Sequence, residues 1–333
     1  RCCKVTGVQT CALPILKFRT IVDLPTARWK LEPSMKMMCL GSCFAQEIGS
    51  RMQVSLPDGQ VMINPNGVLY NPASISNVLN ALLDDSYDDS EMVFLGRDGF
   101  WHSWMHTNKF YGNDKATFTT SLESIRKQAK SFLKQADVLV ITWGTSHVFS
   151  LRGKVETIVG NCHKEHPALF QEKRLTVGEI LTDYCRLFDK IRGINRGLEI
   201  VLSVSPYRYS KLGYAQSNTS KAILLLAAER LSEIYGHVSY FPAYEILKDE
   251  LRDYRFYAAD MLHPSDQAVD YVWERFRAFC FSDAMNAFSE DMLKLNKALQ
   301  HRMEKASGAE HERFAKRISE MRTEMERKWG MFL

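Results

Sequence analysis

Two rhythms of apolar residues alternate along this chain. Short continuous apolar runs, of the length a buried strand needs, stand between stretches whose apolar residues recur every three or four positions. "MKMMCL" (35–40) reads as a buried strand, and "FAQEIGSRM" (44–52) has helical spacing. "QVMI" (60–63) reads as a second strand and ends in the turn sequence "NPNG". "SISNVLNALL" (74–83) and "SLESIRKQAKSFLKQA" (121–136) read as helices, and "DVLVITWG" (137–144) is the clearest strand. "LEIVLSVSP" (198–206) is another strand, "SKAILLLAAERLSEIYG" (220–236) a helix ending on Gly236, "VSYFPAY" (238–244) a last short strand and "SDQAVDYVWERFRAFCF" (265–281) a helix.

Strands separated by helices imply βαβ units and a mainly parallel sheet covered on both faces. The pattern predicts an α/β fold with about five parallel strands. Ligands bind such sheets beyond the carboxyl ends of the strands, near a switch in strand order. Useful residues are therefore expected just after strands. From about Phe288 the texture changes to charged helical sequence with a break at "SGAE", which reads as an αα-hairpin or an arm. The expected organisation is a leader over 1–15, a catalytic-type domain over 16–285 and a helical tail over 286–333. The leader, "RCCKVTGVQTCALPI", opens on Arg and lacks a long apolar core, so it reads as non-native sequence rather than a signal peptide.

Composition narrows the classes. The chain has 333 residues, 45% hydrophobic and 25% charged, with a formal charge of +4. No long Lys/Arg block supports nucleic-acid binding. No run approaches the eighteen or so apolar residues of a membrane span. Three of the eight cysteines fall in the first eleven residues, and the other five are scattered without a CxxC pair. That argues against a disulfide framework or zinc site and for a reducing, cytoplasmic setting. His102 and His106 of "WHSWMH", and Cys162, His163 and His166 of "NCHKEHP", lack a carboxylate or third His in register, so no metal is expected.

Polar stretches do follow the strands. Ser42 follows the first; Asn64, Asn66 and Gly67 the second; Gly144, Thr145, Ser146 and His147 the third; Pro206 to Tyr209 the fourth. After the last strand comes "AADMLHPSD", with Asp260 and His263. A serine hydroxyl becomes a nucleophile only when a base takes its proton, and histidine is the usual base. An acid three residues upstream can orient that histidine, and Asp260 stands there. A serine at the start of a helix has free N–H groups and a positive dipole end beside it, which can hold an oxyanion. The plainer reading of Ser42 is a helix N-cap. Cys43 is an alternative nucleophile at the same helix start, and its plainer reading is a small buried hydrophobe.

"GSCFA" (41–45), "NPNGVLYNP", "ITWGTSHV", "NCHK", "LLLAAERL", "YFPAYEI" and "DELRDYRFYAADMLHPSDQAVDYVWERF", in that order, resemble the GSCFA-domain family. The family resembles a branch of the SGNH/GDSL hydrolases. The resemblance implies a flavodoxin-like three-layer α/β/α fold and a Ser-His-Asp esterase without a cofactor. Its substrate would be a small O-acyl group such as acetate, with a glycan ester as one option. By position it implies Ser42 as nucleophile, His263 as base, Asp260 as its orienting acid and Gly67 as an oxyanion glycine. The third block departs from the superfamily's G-x-N and reads Gly144-Thr145-Ser146. Ser146, Asn64 or Asn161 could supply the missing donor. Asn161, His163 and His106 are candidates for the pocket wall, and Tyr207 and Arg208 for an anionic substrate group. The rivals on the same fold are a non-catalytic binding module and an O-acyltransferase. The tail offers either a homodimer contact or an arm on its own domain.

Overall fold

The computed structural model describes residues 19–305 and 309–330. The expected leader (1–15) lies outside the described residues. The chain builds β1 (Met37–Gly41), α1 (Cys43–Gln53), β2 (Val61–Ile63), α2 (Pro72–Leu83), α3 (Lys115–Gln135) and β3 (Val138–Trp143). It continues with α4 (Val177–Ile194), β4 (Glu199–Val204), α5 (Tyr214–Ile234), β5 (Val238–Phe241) and α6 (Asp266–Cys280). Two further helices, α7 (Asp283–Lys305) and α8 (Ala309–Trp329), form the tail.

All five strands pair in parallel in the order β2-β1-β3-β4-β5. This is the flavodoxin-like order, whose switch point lies between β1 and β3. The apolar runs are continuous because both faces of the sheet are covered. Met38, Leu40, Leu139, Ile141, Ile200 and Leu202 turn to one face and pack against α2, α3, α4 and α5. Met37, Cys39, Val138, Val140 and Val201 turn to the other and pack against α1, α6 and the tail. The expected three-layer α/β/α fold is present.

The tail is an antiparallel pair folded onto its own domain. Phe288 of α7 meets Trp329 of α8 edge to face at 5.3 Å, and Lys328 Nζ lies 2.7 Å from Asp291 Oδ2. Asn296 donates to the carbonyl of Val54 at the end of α1 (2.9 Å). Of the break expected at "SGAE" (307–310), Ser307 and Gly308 lie outside the described residues, and Ala309 and Glu310 open α8.

Several parts differ from the sequence reading, among them α5, which begins at Tyr214 rather than 220. Helix α3 begins at Lys115 rather than 121, because the Asp114 carboxylate caps the amide of Thr117 (2.8 Å). Helix α4 was not anticipated. Two small antiparallel sheets were not anticipated either: a hairpin of Val93–Leu95 with Trp101–Ser103, and a three-stranded sheet of His147–Leu151, Lys154–Ile158 and Phe170–Arg174.

Candidate active site

Strand β1 turns into α1 through Gly41, whose φ is +131°. A Cβ there would stand 2.2 Å from the carbonyl oxygen of Thr142 on β3. Only glycine tolerates both that conformation and that approach. Ser42 follows as the N-cap of α1, its Oγ accepting from the amide of Phe44 at 3.3 Å. Its own N–H donates to Thr142 O (3.2 Å) and Thr142 Oγ1 (3.0 Å), and the two hydroxyl oxygens lie 2.7 Å apart. Ser42 is 2% exposed. Cap and candidate nucleophile are thus the same residue.

His263 comes from the loop that leads into α6, beyond the short helical turns that follow β5. Asp260 shapes that loop: its Oδ1 accepts from the amides of Leu262 (2.9 Å) and His263 (3.0 Å), and its Oδ2 lies 2.5 Å from His263 Nδ1. The amide of His263 first, then its imidazole and the amide of Leu262, hold the exposed Asp260 carboxyl down to about 2. The loop is fastened to the strand β4 exit by the Arg208 amide, which donates to Leu262 O at 3.1 Å. The His263 ring packs on Tyr207 with centroids 4.3 Å apart. With Nδ1 bound to carboxylate, Nε2 is the nitrogen left for a substrate or nucleophile.

A cavity of about 180 Å³ is lined by Ser42, Cys43, Tyr70, Ser205, Tyr207, Tyr209 and His263. It lies beyond the carboxyl ends of β1 and β4, where this fold places ligands. Among the described residues, no hydrogen bond joins Ser42 to His263; Ser42 Oγ is held by Thr142 instead. Cys43 Sγ stands 3.7 Å from the hydroxyl of Tyr70.

The other residues singled out from sequence do not line this cavity. Gly67, with φ +81°, donates its N–H to Asn64 O at 2.7 Å and closes a turn, so it offers no free oxyanion donor. The Gly144 N–H donates to Tyr70 O at 2.7 Å. Ser146 is fully buried and binds Ser220 Oγ through both its hydroxyl (3.0 Å) and its amide (2.8 Å). Asn64 accepts from the Gly41 amide (2.8 Å) and so supports the β1 corner. Asn161 accepts from the amide of His163 (2.7 Å). His163 reaches Ser103 O (2.8 Å) and packs among Phe94, His102 and Trp104, in a separate aromatic cluster. Arg208 donates to Asn218 (3.1 Å) and lies over the Tyr214 ring. The oxyanion set expected from Ser42, Gly67 and Ser146 is therefore not assembled: each of those donors already has a protein partner.

The sequence pattern passed over Lys221 and held Tyr209 only as the last residue of the polar stretch after β4. Lys221 of α5 is 2% exposed, and its ammonium donates to Gly144 O and Ser205 O, each at 2.6 Å. Burial lowers it to about 7. It shares the buried stripe of Leu224, Ala228 and Leu231, and a lysine on such a stripe is itself a signal. Tyr209 carries a buried hydroxyl without a hydrogen-bond partner among the described residues.

A family model matches residues 36–276. The chain belongs to the GSCFA family. The match takes in all five strands, Ser42, Asp260 and His263, and stops within α6, ahead of the tail. No curated protein matches this GSCFA chain. A larger cavity, of about 640 Å³, opens among Asn77, Asn80, Asp84, Tyr87 and Lys190. Its lining holds no serine, cysteine or histidine, so the smaller cavity is the better candidate for chemistry. His102 and His106 turn to different partners, Asp98 (3.0 Å) and Asn66 (2.9 Å).

Proposed function

We propose that this GSCFA protein is a serine esterase of the SGNH type, acting on a small O-acyl group such as acetate. The observation that carries the reading is that an aspartate-oriented histidine and a helix-capping serine line one cavity. Ser42 Oγ attacks the ester carbonyl carbon and gives its proton to His263 Nε2. The carbonyl electrons move to oxygen, and the tetrahedral species collapses as His263 protonates the leaving alcohol. Water then repeats the sequence and releases the acid. Asp260 holds His263 Nδ1 protonated and stabilises the imidazolium. The first-turn amides of α1, beginning with Cys43, have no carbonyl of their own helix to bind and face developing charge with the helix dipole. In this reading Ser42 gives up its bond to Thr142 when substrate enters; catalytic hydrogen bonds commonly form only in that complex. The cavity's about 180 Å³ suits an acetyl-sized group. Tyr70 and Tyr207 on its wall suit the face of a sugar as the alcohol part.

A second reading, a binding module without turnover, is favoured by the resting bond of Ser42 to Thr142 rather than to His263. Hydrolysis of p-nitrophenyl acetate and butyrate by the wild type, Ser42→Ala and His263→Ala separates the two. The esterase reading expects acetate to exceed butyrate and both variants to lose activity by about 10³-fold or more. Equal hydrolysis in all three proteins removes it.

A further inference from the structure

One buried hydroxyl beside the cavity is left over. Tyr209 lines it together with Ser42 and His263, and its hydroxyl is buried without a hydrogen-bond partner among the described residues. Buried hydroxyls normally find partners, and one left without marks a place completed by something else. The ring is held in position. Tyr70 meets it edge to face at 6.2 Å, Tyr207 does so at 4.8 Å, and the Lys221 ammonium lies 5.7 Å from its centroid.

The hydroxyl sits against Gly144. A Cβ on that residue would lie 2.8 Å from Tyr209 Oη, so the glycine makes room for it. Gly144 follows Thr142 by two residues, and Thr142 Oγ1 is 2.7 Å from Ser42 Oγ. The phenol thus occupies the end of β3, the region where the sequence lacks the amide side chain expected of an SGNH enzyme. Burial, and then the neighbouring Tyr70 and Cys43, keep its proton on well above the ordinary phenol range.

We infer that the Tyr209 hydroxyl is the side-chain donor to the oxyanion, taking the role of the absent asparagine; this rests on the esterase reading. As Ser42 Oγ bonds to the carbonyl carbon, the carbonyl oxygen gains the electron pair and accepts a hydrogen bond from Tyr209 Oη. The proton stays on Tyr209. Lys221 is the positioning residue behind it, tying the ends of β3 and β4 together through Gly144 O and Ser205 O.

The test uses a fluorophosphonate, which phosphonylates an activated serine whatever the natural ester. Labelling rates are followed by intact mass for the wild type, Tyr209→Phe and Ser42→Ala, with p-nitrophenyl acetate kinetics and melting curves alongside. Tyr209→Phe is expected to melt at or above the wild-type temperature, since its hydroxyl has no partner to lose. Its labelling rate and kcat should fall by about 10²-fold with little change in KM. Wild-type rates in Tyr209→Phe, with Ser42→Ala inert, overturn the inference and leave the esterase reading standing. A clear drop in melting temperature also overturns it, since the hydroxyl would then be structural. A wild-type protein that neither labels nor hydrolyses removes the esterase reading and this inference with it.

Discussion

His263 Nδ1 and Asp260 Oδ2 lie 2.5 Å apart on a loop that passes through a left-handed residue, Met261, at φ +60°. The carboxylate is exposed, yet it accepts two backbone amides as well as the imidazole. Asp260→Asn removes the charge and can reverse the imidazole tautomer. It should lower kcat by about 10²- to 10⁴-fold while the fold persists, read by steady-state kinetics beside circular dichroism. Because the carboxyl is held down to about 2, its contribution to stability is present above the ordinary carboxylate value of 3.8 and is lost as pH falls toward 2. Loss of activity above that window therefore belongs to other groups.

Lys221 gives a prediction of the same pH sense in a higher window. The unfolded chain binds its proton up to the ordinary value of 10.5, whereas the folded protein releases it near 7. Between those values the unfolded state holds more protons, so this residue makes stability rise with pH. Lys221→Met removes that rise and leaves the Gly144 and Ser205 carbonyls without their donor, at a cost of about 1–3 kcal/mol. Melting curves at pH 7 and 9 should show a smaller gain for the variant than for the wild type.

The β1 corner tolerates no side chain. Gly41→Ala would set a Cβ 2.2 Å from Thr142 O at φ +131°. The strain and the separation of β1 from β3 should cost about 3 kcal/mol or more. The expected outcome is a sharply lowered melting temperature or failure to fold, measured by thermal denaturation. An unchanged melting temperature would show that the corner relaxes.

The main sheet was legible because its strands are buried on both faces and read as unbroken apolar runs; Met37–Gly41 and Val138–Trp143 lie within two residues of the runs that marked them. Helix α4 was legible too but went unread. Ile180, Tyr184, Leu187, Phe188 and Ile191 make one apolar stripe, and Thr176 with Glu179 forms a capping box ahead of it. The small antiparallel strands are short and mostly polar, as "FQEKR" (170–174) illustrates, and carry too little apolar periodicity to stand out. Ser42, Asp260 and His263 could be picked by order because each follows a strand. The donors could not. Whether the amide of Gly67 or the hydroxyl of Ser146 is free depends on partners as distant as Ser220, 74 residues along the chain from Ser146.

His106 should make the protein acid-sensitive. Burial, with His163 beside it, lowers the imidazole to about 3, while the unfolded chain takes up a proton near 6.5. Stability from this group is complete above that value and falls as pH drops from 6.5 toward 3. His106→Asn, compared with the wild type by urea denaturation at pH 7 and pH 5, should lose less stability between the two.

The most direct test of the central claim is to find which atom carries the acyl group. The protein is mixed with p-nitrophenyl acetate, quenched in acid within the first turnovers and mapped by peptide mass spectrometry. One acetyl group on Ser42 is expected, absent from Ser42→Ala and accumulating more slowly in His263→Ala. Acetyl on Cys43, or turnover with Ser42 unmodified and Ser42→Ala fully active, would contradict it.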